Sequence, residues 1–185
     1  MFKRILVAVD GSPAAAAGLK SAVQLAKDQK ARLVVLHVLD DGVSAVSYDG
    51  GVYFPASYMN SYVQAIQEIG EKVLDKAVSF ARKTGVDVDP AMAHARDRTV
   101  ARAILDRAKK SNVDLIVLGT HGRRGFQRVL MGSDAEAVVR EASVPVLLVR
   151  GAGVRRRSPP KAATPKAKST AAGAPRRIAT GAAAR

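Results

Sequence analysis

The chain has no cysteine and no tryptophan, and its 185 residues include only four tyrosines and four phenylalanines. Without thiols it has no disulfide framework, thiolate metal site or cysteine nucleophile. A reducing compartment is therefore permitted, and we expect a cytoplasmic protein. The three histidines, His37, His94 and His121, are scattered without ligand spacing, so no histidine metal site is expected. No apolar run approaches the roughly 18 to 20 residues of a membrane span. Met1-Phe-Lys-Arg4 precedes only five apolar residues, too few for a secretory signal, and reads as the approach to a first strand. Acidic residues are missing altogether from Gly151 to Arg185, where nine Lys/Arg supply much of the net charge of +14.

That composition divides the chain. The stretch after residue 150 is Ala, Pro, Gly, Ser, Thr, Lys and Arg, with Val154 and Ile178 its only larger aliphatics. Such a segment buries too little apolar surface to offset the entropy of ordering, so residues 1–150 are expected to form a domain and residues 151–185 a disordered basic tail. Nine cations can release counterions from nucleic acid, giving weak, salt-sensitive binding without sequence selectivity. A solubilising appendage is the alternative.

Within residues 1–150, apolar runs alternate with helical patterns and no internal repeat is evident. Ile5 to Val9 reads as a strand, and Ser12-Pro13 supplies an N-cap and first residue for a helix carrying Leu19, Ala22, Val23 and Ala26. Arg32 to Leu39 holds the second strand. A long helix is expected over Ser57 to Lys83, with Tyr62, Ile66, Ile69, Val73, Ala77 and Phe80 on one face, stopped by Gly85. Val86 to Ala95 is a weaker third strand, and its Pro90 argues for a sheet edge. A helix over Val100–Lys110, a strand over Asp114–Leu118, a helix over Gly132–Ala142 and a strand over Val144–Val149 complete the pattern. Apolar strands separated by helices imply a parallel sheet covered on both faces. Ligands of such sheets bind beyond the carboxyl ends of the strands, where strand order reverses.

The most informative stretch follows the fourth strand. Gly119-Thr-His-Gly122-Arg-Arg-Gly125 runs on to Gly132-Ser133 at a helix start. Glycine lets a backbone approach an anion closely, and a helix start offers free N–H groups and partial positive charge. Together they make a phosphate-binding arrangement. Ser133 with Glu136 also reads as a capping box, compatible with ligand contact. His121 is either a general acid near phosphate or a solvated loop residue, and His37 reads as a satisfied residue of the core. Asp10 is either a turn-former entering the first helix or a carboxylate accepting from a ribose or an adenine amine. Tyr48, Tyr53, Tyr58 and Tyr62 cluster after the second strand, in a long loop that would act as a lid, a partner patch or an aromatic anchor.

The series Gly119, two residues, Gly122, nine residues, Gly132-Ser133 resembles the nucleotide-binding branch of the universal stress protein family. The opening Ile5-Leu-Val-Ala-Val-Asp10-Gly-Ser12, the strand end Leu36-His-Val38 and the closing Val144-Pro-Val-Leu-Leu-Val149 are similar to that family too. The resemblance covers residues 1–150. It implies an open five-stranded parallel sheet of order 3-2-1-4-5, of the adenine-nucleotide alpha-hydrolase-like type, binding ATP with or without Mg²⁺. By matching position Asp10 would face the adenosine end and the Val38 backbone the adenine edge. Gly119, Gly122, Gly132 and Ser133 would meet the phosphates, with Leu118 also in the nucleotide site. The resemblance also implies a homodimer joined through Val146–Val149 and a stress-response regulator. Asp134, where many relatives carry an uncharged residue, would repel a triphosphate unless it points away or engages a cation; Arg123, Arg124 and Arg128 would offset it.

Enzymatic alternatives find less support. No His-x-Gly-His or Ser-Gly-Gly-x-Asp-Ser motif follows the first strand, no Gly-Lys-Ser/Thr closes a glycine loop, and the acidic pair of a phospho-receiver is missing. No catalytic residue is assigned, and at most slow ATP hydrolysis is expected. The remaining alternative is a nucleic-acid-associated protein acting through the tail.

Overall fold

In a computed structural model the described residues are 1–40, 56–95, 99–120 and 131–151. They form β1 (Arg4–Ala8), α1 (Pro13–Gln29), β2 (Arg32–Leu39), α2 (Ala56–Arg82), β3 (Val88–His94), α3 (Val100–Lys110), β4 (Leu115–Gly119), α4 (Ser133–Glu141) and β5 (Val146–Val149). The strands make one sheet in the order β3-β2-β1-β4-β5, and every pairing is parallel. This is the expected α/β architecture, with the strand order reversing between β1 and β4.

Alternation along each strand divides two cores. Ile5, Val7, Leu33, Val35, Leu115 and Val117 pack with residues of α1 and α2. Leu6, Val34, Leu36, Val38, Ile116 and Leu118 pack with α3 and α4 on the opposite face. Consecutive side chains of a strand point to opposite faces, so a central strand covered by helices on both must be apolar at every position. Ile5, Leu6, Leu33, Leu36 and Ile116 are wholly buried, and each burial contributes about 1.5–3 kcal/mol. The edge strands tolerate more: Pro90, which lacks an N–H, sits in β3 opposite Val35, at the margin of the sheet as expected. The third and fifth strands are each two residues shorter at their starts than the apolar runs suggest, and the third also stops one residue sooner.

Helix ends follow their local chemistry. Ser12 caps α1, its hydroxyl accepting from Ala15 N–H at 3.1 Å, with Pro13 in the first turn. Gly85, at φ +81°, turns the chain after α2, its N–H donating to Arg82 O at 3.0 Å.

The packing face of α2 shares Ala77 and the partly buried Val73 with the apolar stripe legible in the sequence but is rotated from the rest of it. Gly70, Leu74, Ala77, Val78 and Ala81 are buried, whereas Tyr62, Ile69 and Phe80 are 44%, 54% and 39% exposed. Each helical residue advances about 100°, so the apolar stripe through Tyr62, Ile69 and Phe80 lies roughly a quarter turn from the face that meets the sheet. What selects the buried face is Gly70. A Cβ there would collide with the Leu39 side chain and stand 2.9 Å from His37 Cδ2. Gly70→Ala should therefore lower stability by about 1–3 kcal/mol through overpacking, although alanine at an exposed helical site normally gains about 1 kcal/mol over glycine. Urea unfolding of both proteins gives the sign.

Candidate functional site

The carboxyl ends of β1 and β2 are tied to each other before they release the chain. Val9 N–H donates to Leu36 O at 2.8 Å. Val9 O in turn accepts from His37 Nδ1 at 2.6 Å, and His37 is only 2% exposed. A carbonyl oxygen only accepts, so Nδ1 carries the proton. The expected reading of His37 as a satisfied buried histidine holds. Beyond Val9 the chain reverses: Asp10 Oδ1 accepts from Ser12 N–H at 2.8 Å, with Gly11 at φ +83° between them. This is an Asx turn feeding the α1 cap.

At the end of β4, Gly119 meets α1 backbone to backbone. A Cβ on Gly119 would lie 2.7 Å from Ala14 C and 2.8 Å from Ala15 N. Close approach of helix and strand thus accounts for this glycine independently of any ligand. The next residue organises the way onward: Thr120 N–H donates to Val149 O at 2.9 Å, and Thr120 O accepts from Gly132 N–H at 2.9 Å. The chain therefore returns from residue 131 to the strand end it left.

Helix α4 begins there, and the expected capping box does not form. The N-cap is Gly132, at φ −65° and ψ 146°, with no side-chain hydrogen bond. Ser133 is already the first helical residue, so its hydroxyl stands one position too far along to cap the N–H of the third. The caps of α1 and α3 are made by Ser12 and by Thr99, whose hydroxyl accepts from Arg102 N–H at 3.2 Å. Among the three helices whose N-caps are described, α4 alone starts with its N–H groups uncapped by a side chain.

These ends surround a cavity of about 590 Å³, within the range of small-molecule sites. Asp10, Val38, Leu118, Gly119, Gly132 and Ser133 all line it. Gly122, the seventh expected residue, lies outside the described residues, as do His121, Arg123, Arg124, Arg128, Tyr48 and Tyr53. The lining also includes Leu39, at the expected strand end, and Tyr62, of the aromatic cluster read as a lid, patch or anchor; His37, Thr120, Val100 and Ile104 of α3, and Ile66 and Ile69 of α2 were not anticipated there. The spacing that puts Tyr62, Ile66 and Ile69 on one helix face was legible, but not that this face lines a cavity. Charge in the described lining is all of one sign, from Asp10, Asp40 and Asp134. Asp134 and Glu136 occupy the first turn of α4, where they favour the helix dipole but oppose an incoming anion. Among the described residues no group of three or more His, Cys, Asp or Glu is arranged to hold a metal ion. Nor is any described helix long and apolar enough to cross a membrane.

A doubly wound parallel sheet with a cleft at its point of strand reversal defines a class of α/β ligand-binding proteins. Residues 1–150 match the sequence model of the universal stress protein family, and the chain belongs to that family. It is 36% identical over 151 residues to universal stress protein YxiE of Bacillus subtilis, covering 81% of this chain and all of YxiE. Among solved structures, a universal stress family protein from Burkholderia pseudomallei is 34% identical, with TM-score 0.62, covering 80% of this chain and 95% of that one. Two more distant structures share the fold and carry ligands. One, from Archaeoglobus fulgidus, is in complex with dAMP (24% identity, TM-score 0.56, covering 80% of this chain and 97% of that one). The other, from Arabidopsis thaliana, has AMP bound (17% identity, TM-score 0.57, covering 80% and 91%).

The contact at Gly119 leads to a prediction that needs no ligand. Gly119→Ala should destabilise the protein by about 1–3 kcal/mol in nucleotide-free buffer, measured by urea or thermal unfolding. Unchanged stability would leave the glycine to be explained by ligand approach alone.

Proposed function

We propose that this chain is an ATP-binding regulator of a stress response, homodimeric, in which the nucleotide acts as a conformational ligand and is hydrolysed slowly at most. The observation that carries the reading is the start of α4, whose N-cap Gly132 makes no side-chain hydrogen bond, opening on the same cavity as Asp10 and Val38. Uncapped N–H groups at a helix start favour phosphate. Asp10, already turned by its bond to Ser12 N–H, would accept from the ribose. The Val38 backbone at the end of β2 would meet the adenine edge, and Gly122, Gly132 and Ser133 the phosphates. Adenine nucleotides bound by distant members of the fold support the same chemistry.

The carboxylates of Asp10, Asp40 and Asp134 oppose a triphosphate, so Mg²⁺ would accompany it. Its oxygen donors would come from the phosphates and from water. Dimerisation would use β5, a sheet edge whose four residues are each half-buried in the single chain.

The first test is the nucleotide content of the purified protein, released by denaturation, followed by ATP titration of wild type and Gly122→Val. Bound ATP lost in the variant, with fold and assembly retained, supports the reading; no binding by wild type at millimolar ATP overturns it. Removing the charge nearest the helix start should also act in a defined direction. Asp134→Asn is expected to tighten ATP binding about three- to tenfold in EDTA, and less with Mg²⁺ present, by calorimetric titration.

A second reading rests on the nine cations and absent acids of residues 151–185: weak, non-specific nucleic-acid binding by the tail. Duplex DNA should be shifted by the full chain at low salt, released as salt rises, and not shifted once residues 151–185 are deleted.

A further inference from the structure

Helix α2 is much longer than its packing on the sheet requires. Its buried residues begin at Gly70, which lies over His37 and Leu39 at the end of β2, and continue through Ala81. The preceding residues, 56–69, run about 21 Å past that end of the sheet. None of the described side chains in this half is buried. Yet Tyr62, Ile66 and Ile69, spaced as one helical stripe, line the cavity. The opposite side is built from Val100 and Ile104 of α3, and the carboxylates stand near the strand ends and the start of α4.

We propose that this projecting half of α2 is a nucleobase wall, in which the Tyr62 ring stacks on the base while Ile66 and Ile69 cover its edge. The inference rests on the nucleotide reading above and deepens it by naming what the α2 side of the cleft recognises. Three arguments select a planar base over other occupants. The stripe lines the same cavity as Asp10 and Val38, so one ligand can meet both. It supplies an aromatic face and two aliphatic side chains with no charge, which suits a flat, weakly polar ring and not a phosphate. The side chains are 44% exposed at Tyr62 and 54% at Ile69, so apolar area is left to be covered when a ligand enters. Because stacking reads a π-face and not a hydrogen-bonding edge, the wall selects for the presence of a base. Choice among bases is left to the backbone at Val38.

The experiment is calorimetric titration of the full-length chain, wild type, Tyr62→Ala and Tyr62→Phe, with MgATP and with magnesium tripolyphosphate, which has no base. Urea unfolding of each variant checks the fold. Tyr62→Ala should weaken ATP binding by about 5- to 100-fold and leave tripolyphosphate unchanged; Tyr62→Phe, which keeps the ring, should restore ATP binding. ATP binding by wild type that Tyr62→Ala leaves intact overturns the wall while sparing the nucleotide reading. Equal losses for both ligands also overturn it, since the residue would then act on the site as a whole. A wild-type protein that binds no ATP overturns the nucleotide reading itself, and the wall with it.

Discussion

Two backbones meet without side chains between them where the first turn of α1 crosses the end of β4, and the cleft exists because of that contact. Gly119 brings β4 against Ala14 and Ala15, and Gly18 faces the same strand end from within the helix, where a Cβ would stand 3.4 Å from Gly119 N. Gly151, just beyond β5, also approaches Ala14. With α1 held this close, β1 and β4 can be neighbours while their chains depart to opposite faces of the sheet. One leads through the Asx turn at Asp10 into α1, the other through Thr120 and on to α4. The gap between those departures is where a ligand fits. A side chain at Gly119 would thus disturb both the packing and the mouth of the site.

Electrostatically the cleft is a balance of unlike contributions. The start of α4 presents N–H groups with no side-chain acceptor, and the helix dipole makes that end attractive to anions. Asp134 in the same turn, with Asp10 and Asp40 across the cavity, adds full negative charges. A formal charge outweighs the half charge of a dipole at equal distance, so the described surface alone favours a ligand whose phosphates arrive neutralised. Magnesium or arginine could provide that neutralisation, and the sequence places Arg123, Arg124 and Arg128 between Gly122 and Gly132. The proposed nucleotide site would therefore depend on its counter-ion as much as on its glycines.

Much of this was legible from residue order. Strand runs such as Ile5 to Val9 and Arg32 to Leu39 are apolar at almost every position because both sheet faces are covered, and that pattern identified the parallel sheet. Pro90 announced an edge, and Ser12-Pro13 a helix start, for local chemical reasons that need no tertiary context. The family resemblance supplied the strand order and the gathering of Asp10, Val38, Gly119 and Gly132, since spacing alone does not say which strands become neighbours. Two differences have a common form. The capping position falls one residue before Ser133, and the buried face of α2 lies about one residue round from the apolar stripe legible in the sequence. A capping box needs its hydroxyl just outside the helix, and Gly132 holds that place. A helix buries whichever stripe its neighbours can accommodate, and here that is the one containing Gly70.

That second displacement bears on function. A long amphipathic helix with a single apolar stripe would commit all of it to the core, leaving nothing for a ligand. In α2 two stripes lie about a quarter turn apart: Gly70, Leu74, Ala77, Val78 and Ala81 hold the helix to the sheet, and Tyr62, Ile66 and Ile69 face the cavity. Because Gly70 fixes the rotation of the helix against His37 and Leu39, it also fixes where the second stripe points. His37 is in turn held by the carbonyl of Val9, the residue before Asp10. The helix that carries the Tyr62 stripe, the end of β2 and the turn that presents Asp10 thus all meet at one buried imidazole. On the proposed nucleotide reading these three would together form the adenosine end of the cleft, and the start of α4 its phosphate end.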